Sequence, residues 1–311
     1  MSLSLDKVME LINLRDNDKL TWKQLTDHFS GYSANALRKT YYRHLETANS
    51  VTQGAKVLVV DIETFPLECY TWGLFDQNIG LEMVKVDWSI ASFSAKWLGS
   101  PENEIFYADN RDEKDPRNDL KLLKTIHSLM DEADILLTQN GIKFDIKKLN
   151  ARFILNGMPP VTSFRNIDTL RIAKKHFGFT SNKLAYMTDK LCTKYKKQDH
   201  SDFPGFSLWR ECLKGNLKAW KSMERYNKFD ILSLEELYFV LAPWDKTIQF
   251  NIFSSDDAKE RCTCGNEEFK SKGFIYSNSG KFQRYVCTNC QKEFKDNVNL
   301  LAKSKRKALL K

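Results

Sequence analysis

Residues 55–66 read AKVLVVDIETFP, an apolar, β-branched run bounded by Gly54 and Pro66. Such a run predicts a strand buried on both faces. Asp61 and Glu63 lie two apart near its end. With a side-chain period of two, both carboxylates point to one face, where they can share a cation. Two like charges closing a buried strand are costly unless a metal compensates them.

Working outward, residues 67–74, 81–86 and 89–98 read as further strands, with 104–107 completing the sheet and 110–118 forming a charged loop. A helix over 120–130 leads to a strand at 135–138, then to QNGIKFD at 139–145, then to a helix through Asn156 ended by Gly157 and Pro159. Helical patterns continue over 169–177, 181–191, 208–213 and 217–241. Strands first and alternating helices later predict an α/β fold with a mixed sheet and flanking helices. Asp145 opens a helix directly after a strand, and the i, i+4 spacing of Tyr226 and Asp230 stacks phenol and carboxylate on one helical face.

Three segments together, VVDIET at 59–64, N-x-x-x-F-D at 140–145 and Y-x-x-x-D at 226–230, resemble the three motifs of the DEDD superfamily of 3′-to-5′ exonucleases in its tyrosine branch. The resemblance runs across residues 55–243. The histidine branch would carry His five residues before the last Asp, where this chain has Arg225. The resemblance implies a ribonuclease H-like fold and 3′-to-5′ exonuclease activity, with Asp61, Glu63, Asp145 and Asp230 as catalytic metal ligands. It also implies that Tyr226 orients or helps deprotonate the attacking water, and that Asn140 contacts the nucleic acid or supports the site. The chemistry agrees: two divalent ions about 4 Å apart neutralise the attacking and leaving oxygens of a phosphodiester. Four carboxylates supply enough hard oxygen donors for two Mg²⁺ or Mn²⁺. A phenol with a reference pKa of about 10 is a poor base unaided, so a metal must acidify the water.

The flanks read differently. Residues 1–50 form one module with helical punctuation over 5–47: a stripe of Leu5, Val8, Met9, Leu11 and Ile12, a second helix capped by Thr21, a turn at 30–33 and a third helix over 34–45. This layout is similar to small Myb-like or helix-turn-helix modules. Asn35, Arg38, Lys39, Tyr41, Tyr42 and Arg43 are residue types that touch phosphates and base edges; an interaction bundle explains the same apolar stripes. At the other end, over 259–298, Cys262 and Cys264 pair with Cys287 and Cys290 around strands at 274–276 and 282–286 and a hairpin at 277–280. Four thiolates suit one structural Zn²⁺, and Gly265 suits its tight turn, so a zinc ribbon is expected. The first pair is one residue shorter than C-x-x-C.

The net charge of +8 lies wholly in the C-terminal part: from Lys259 onward there are 13 Lys/Arg against 5 Asp/Glu. A balanced body with a basic appendage, including a tail over 299–311, suits a nucleic-acid partner through counterion release, although solubility explains it equally. Body boundaries fall at 55 and 245. Seven cysteines without an export signal argue against disulfides. Cys69, Cys192 and Cys212 read as buried thiols, Asp168 as a helix cap, and Trp72, Trp88, Trp97, Trp209 and Trp220 as core. The histidines lack ligand spacing. No apolar run is long enough for a membrane span, so an intracellular, cytoplasmic protein is expected, with a phage-encoded role open. The expected function is a two-metal 3′-to-5′ exonuclease on DNA. A 3′-to-5′ exoribonuclease is the alternative within the class, and a non-catalytic DNA-binding regulator or scaffold the alternative outside it.

Overall fold

The computed structural model describes residues 7, 10, 11, 14, 15, 20–34, 36–38, 54–195, 202–253, 260–264 and 266–309. The described residues fall into two compact units, one from Ala55–Leu98 with Glu104–Gln249, the other from the remainder.

In the N-terminal stretch, helix α1 (Trp22–His28) starts at a Thr21 cap, whose hydroxyl accepts from the Gln24 N–H while the Gln24 side chain accepts from the Thr21 N–H. This reciprocal pairing satisfies two donors that a helix start leaves open. Gly31 takes φ +93° in the following turn. Ser33 starts the next helical stretch, its hydroxyl accepting from the Ala36 N–H at 3.2 Å. Leu11, Leu25, Phe29 and Leu37 are buried together, with Trp22 and Tyr32 against them.

The larger unit is built on β1 (Val57–Phe65), followed by β2 (Glu68–Cys69), β3 (Val84–Val86), β4 (Ser89–Trp97), β5 (Phe106–Asp109), α2 (Leu120–Asp131), β6 (Ile135–Thr138), α3 (Asp145–Leu155), β7 (Arg165–Asp168), α4 (Thr169–His176), α5 (Leu184–Leu191), α6 (Ser207–Leu213) and α7 (Leu217–Leu241). Five strands make one sheet in the order β5-β4-β1-β6-β7. β1 pairs antiparallel with β4 and parallel with β6, so the sheet is mixed and β1 is central. Alternation on β1 divides the core. Leu58, Val60 and Ile62 pack with Leu122, Ile126, Leu149 and Phe153 of α2 and α3. Phe65, on the opposite face, packs with Leu208, Trp220 and Met223 of α6 and α7. Asp61 and Glu63 share the parity of Phe65 and therefore face α7.

Across the sheet, Lys96 of β4 is 1% exposed and its ammonium meets Glu235 of α7 at 2.7 Å. Breaking one half of such a pair would leave a buried charge uncompensated, so it fixes α7 on the sheet.

Two expectations fail here. Residues 67–74 and 81–86 are not full strands: only β2 and β3 pair, with a 3₁₀ turn at Leu81–Met83. Cys69 at the end of β2 and Trp72 beyond it are exposed, although both were expected to be buried. An apolar composition in this stretch does not imply core, because the sheet already has its five strands.

In the second unit, β8 (Phe269–Ser277), β9 (Gly280–Cys287) and β10 (Glu293–Asn299) form a three-stranded antiparallel sheet, and the basic tail contains a short helix, α8 (Lys303–Ala308). The hairpin turn sits between Ser277 and Gly280, as its sequence indicates. β10 carries no strong alternation and was not expected from the sequence. Among the described residues, no helix is long and apolar enough to cross a membrane.

Candidate active site

β1 carries Asp61 and Glu63 to its C-terminal end, half-buried beside α7. α7 starts at Asn216, whose side chain accepts from the N–H groups of Lys218 and Ala219, and runs 25 residues. Its buried face repeats at Trp220, Met223, Asn227, Asp230, Leu234 and Leu237, the helical spacing that packs it on the sheet. Asp230 is thereby brought to the strand, and ligand oxygens of Asp61, Glu63 and Asp230 all lie within 4.8 Å of one another. An octahedral Mg²⁺ shell with oxygens at about 2.1 Å is about 4 Å across, so this set fits a divalent cation with small adjustment.

Asp145 reaches the same strand from the other side. At the turn before α3, Asn140 adopts φ +66° and a side chain on Gly141 would collide with Thr138, which is why a glycine stands three residues past the strand end. The chain then closes into α3, and the Asp145 carboxylate accepts from the Ile62 N–H at 3.2 Å, between the two acids of β1. Burial pushes the Asp145 carboxyl up to about 7, against the pull of the N–H groups of Ile62 and of Asp145 itself, and Asp168 raises it further. Tyr226 stands one helical turn before Asp230 on α7, half-buried.

Asn227 is the residue that sequence reasoning missed. Fully buried, it donates to Asp61 Oδ2 at 2.6 Å and accepts from the Ser92 hydroxyl at 3.4 Å, tying β1, β4 and α7 at the carboxylates. Its signal was an amide three residues before Asp230, on the face that carries the acid.

Asp168 is the helix cap that the sequence indicates, accepting from the Leu170 N–H at 3.0 Å. It has a second role, accepting from the Asn140 N–H at 2.9 Å and so holding the positive-φ turn. Asn140 lines a cleft of about 920 Å³ with Lys143, Arg171, Lys174, Lys175 and His176. None of Asp61, Glu63, Asp145, Tyr226 or Asp230 lines it. The cleft is basic, and Asp168 on its wall is the same carboxylate that raises Asp145.

In the ribbon, the sulfurs of Cys262, Cys264, Cys287 and Cys290 lie within 4.8 Å of one another, with Cys262 to Cys290 at 3.3 Å and Cys264 to Cys287 at 3.6 Å. A tetrahedral zinc with bonds of about 2.3 Å separates its sulfurs by about 3.8 Å, so the thiols fit that ion. The Asn266 amide donates to Cys287 at 3.3 Å. Burial raises the Cys287 thiol, but N–H groups of Cys290 and Asn289 and the Asn266 amide bring it down to about 7, while burial lifts Cys290 to about 11. Arg38 stacks over Trp22 at 5.5 Å. Asn35, Lys39 and Arg43, with Tyr41, Tyr42 and Gly265, lie outside the described residues.

Residues 89–242 match the family model described as RNase_H superfamily. This span includes Asp145, Tyr226 and Asp230 and begins after β1. The larger unit thus has a ribonuclease H-like fold, and the match supports a nuclease. A structural likeness extends to the family B DNA polymerase from the hyperthermophilic archaeon Pyrobaculum calidifontis, at a TM-score of 0.39 and 11% identity, covering 64% of this chain and 27% of that polymerase. The likeness therefore involves about a quarter of the polymerase's length. No curated protein matches this chain.

Proposed function

We propose that this protein is a metal-dependent 3′-to-5′ exonuclease of the tyrosine DEDD type, acting on single-stranded DNA ends. The observation that carries the proposal is the convergence of Asp61, Glu63 and Asp230 within 4.8 Å, from a strand and a helix far apart in sequence. Asp145 is anchored on the intervening Ile62 N–H.

Asp61, Glu63, Asp145 and Asp230 would hold two Mg²⁺ or Mn²⁺ ions, which when bound neutralise the attacking and leaving oxygens of the phosphodiester. The chain's own groups do the positioning. Asn227 fixes the Asp61 carboxylate, and the Ile62 N–H fixes Asp145. Tyr226, one turn from Asp230, orients the attacking water through its hydroxyl. The basic cleft bounded by Asn140 and Lys143 receives backbone phosphates, since Lys143, Arg171, Lys174 and Lys175 outnumber Asp168 and Asp245 on its wall. The four thiols would hold a structural Zn²⁺, which when bound would supply fold stability rather than catalysis. The N-terminal helices and the basic ribbon and tail bind DNA, the ends supplying phosphate affinity without sequence choice.

The test is a time course on end-labelled strands, 3′-blocked and unblocked, DNA and matched RNA, with Mg²⁺ or Mn²⁺. Stepwise shortening of the unblocked DNA strand is expected, with Asp61→Asn and Asp230→Asn losing cleavage by orders of magnitude while binding persists. Cleavage that survives removal of divalent ions, or near-normal rates in both variants, would overturn the assignment.

A further inference from the structure

β8 and β9 of the ribbon form a hairpin whose two faces differ. The register pairs Phe274 with Gln283 and Tyr276 with Lys281, so these four side chains share one face, while Ile275 and Phe282 take the other. On the first face Phe274 is 40% exposed and Tyr276 69%. They stand two residues apart, about 7 Å along the strand, so each ring can meet a separate flat group. The Lys281 ammonium hangs over the Phe274 ring at 3.8 Å and lies 6.0 Å from the Tyr276 ring. The backbone beneath is fixed. β8 bulges between Ser271 and Phe274, where Gly273 takes φ +73°. The Gln283 amide donates to the Gly273 carbonyl at 2.8 Å and the Arg284 guanidinium donates to the Lys272 carbonyl, which holds the bulge against β9. Lys281 is held through its N–H, which donates to the Asn299 side chain at 3.3 Å, and through its carbonyl, which accepts from the Leu300 N–H at 2.7 Å.

The charge of the hairpin narrows the partner. Residues 269–292 contain Lys270, Lys272, Lys281, Arg284 and Lys292 and no Asp or Glu. Arg284 is paired with Glu293 and Lys292 is buried, but Lys270, Lys272 and Lys281 meet no carboxylate among the described residues. Lys281 lies on the ring face itself, and Lys272 and Lys270 follow along β8, an edge strand of its sheet. Free cations call for an anionic partner, and exposed rings call for flat groups on that same partner. An acidic peptide would use the ammonium groups and leave the rings in water. A single strand of nucleic acid uses both, its phosphates meeting the cations and its bases the rings. A duplex keeps its bases stacked on one another and offers the rings nothing.

We infer that this face of the ribbon is a single-strand platform, on which Phe274 and Tyr276 stack unpaired bases and Lys281 takes the phosphate between them. The inference rests on the nucleic-acid partner proposed above for the ribbon, and not on cleavage at the carboxylates. Stacking tolerates every base, because each has a π-face, so the platform tells unpaired from paired strands rather than one sequence from another.

The experiment measures binding of the zinc-loaded full chain, with calcium replacing magnesium and manganese, to a fluorescent dT12 strand, an abasic strand of equal length and a matched duplex. Phe274→Ala/Tyr276→Ala should weaken dT12 binding by about 10-fold or more through the loss of two stacking contacts, and abasic or duplex binding by much less. Tyr276→Phe keeps a ring and should keep most of the dT12 affinity. Lys281→Gln should weaken binding of the dT12 and abasic strands alike, and lower the slope of log affinity against log salt by about 0.7, the share of one phosphate contact. Bound zinc and amide protection of β8 and β9 should be unchanged in all three, which separates a lost platform from an unfolded ribbon. Equal affinity of the unaltered chain for the dT12 and abasic strands, or a double variant that loses equally on both, would overturn the inference. So would polyglutamate displacing dT12 as well as unlabelled dT12 does, since the face would then serve an acidic peptide. Ring-dependent binding in a chain that never cleaves with Mg²⁺ or Mn²⁺ keeps the platform and sinks the exonuclease. Cleavage without ring-dependent binding does the reverse.

Discussion

The carboxylate cluster and the thiol cluster are both sets of converging metal-ligand atoms, yet they are held by opposite means. Asp61, Glu63 and Asp230 are placed by a sheet and a 25-residue helix packed into buried clusters on the two faces of β1. The four cysteines stand on a ribbon whose outer strands β8 and β10 are largely exposed. The carboxylate site is built by a core, so under the proposed function it would lend its geometry to a metal. The ribbon has little core to bury, so a metal held by its thiols would lend geometry to the protein. Ligand chemistry follows the same division: four soft thiolates close a zinc shell, whereas hard carboxylates leave room for water and a phosphate.

The sharpest way to break this contrast is to remove the zinc. Cys287→Ser should lose the bound zinc and unfold the ribbon, because apparent zinc binding in small domains contributes about 10 kcal/mol or more to folding. Amide exchange should show protection lost over 269–299 and kept in β1, β4 and β6. A ribbon that stays protected without zinc would place its stability in packing and erase the distinction. The corresponding change in the other cluster, Asp61→Asn, should abolish turnover while leaving the sheet protected.

A smaller effect tests whether the carboxylate site depends on its support. Asn227→Ala removes the 2.6 Å hydrogen bond to Asp61. Partners of this kind, which orient a metal ligand, change metal affinity by roughly 10- to 100-fold. Titration with Mn²⁺ followed by calorimetry should show that loss, and raising the Mn²⁺ concentration should restore much of the cleavage. An unchanged titration would make Asn227 a packing residue only.

What could be read from the sequence follows from how local each signal is. The strand ending in Asp61 and Glu63, the turn before Asp145 and the helix over 217–241 are legible because burial alternation, strand-end glycine and helical periodicity are written within each segment. The Thr21 and Asp168 caps are legible for the same reason. Asn227 was not, because its role depends on Ser92 and Asp61, which adjoin it only after β1, β4 and α7 assemble. The 70–83 stretch was misread because its side chains have the composition of core strands, and composition does not tell whether a sheet has a vacant edge. The basic cleft gathers residues from the turn before α3, from β7 and from α4, and has no linear signature at all.

The smallest effect concerns what the carboxylate site costs the fold when its metal is withheld. Burial lifts Asp145 from an ordinary value of 3.8 to about 7. Between those values the folded chain retains a proton that the unfolded chain has released, so stability falls as pH climbs from about 4 to about 7 and is level above that. Asn at this position carries no charge at any of these pH values and can still accept from the Ile62 N–H. With magnesium and manganese withheld and zinc left in place, Asp145→Asn should therefore stabilise the β1–β6 core at pH 8. A shift of this size corresponds to an upper figure on the order of 4 kcal/mol, and the advantage should vanish toward pH 4. Amide exchange of β1 and β6 at the two pH values measures it directly. Added Mn²⁺ should then favour the native Asp145, because the charge that was a burden becomes a ligand; a variant more stable at every pH and metal concentration would mean that this carboxylate does not face the cation.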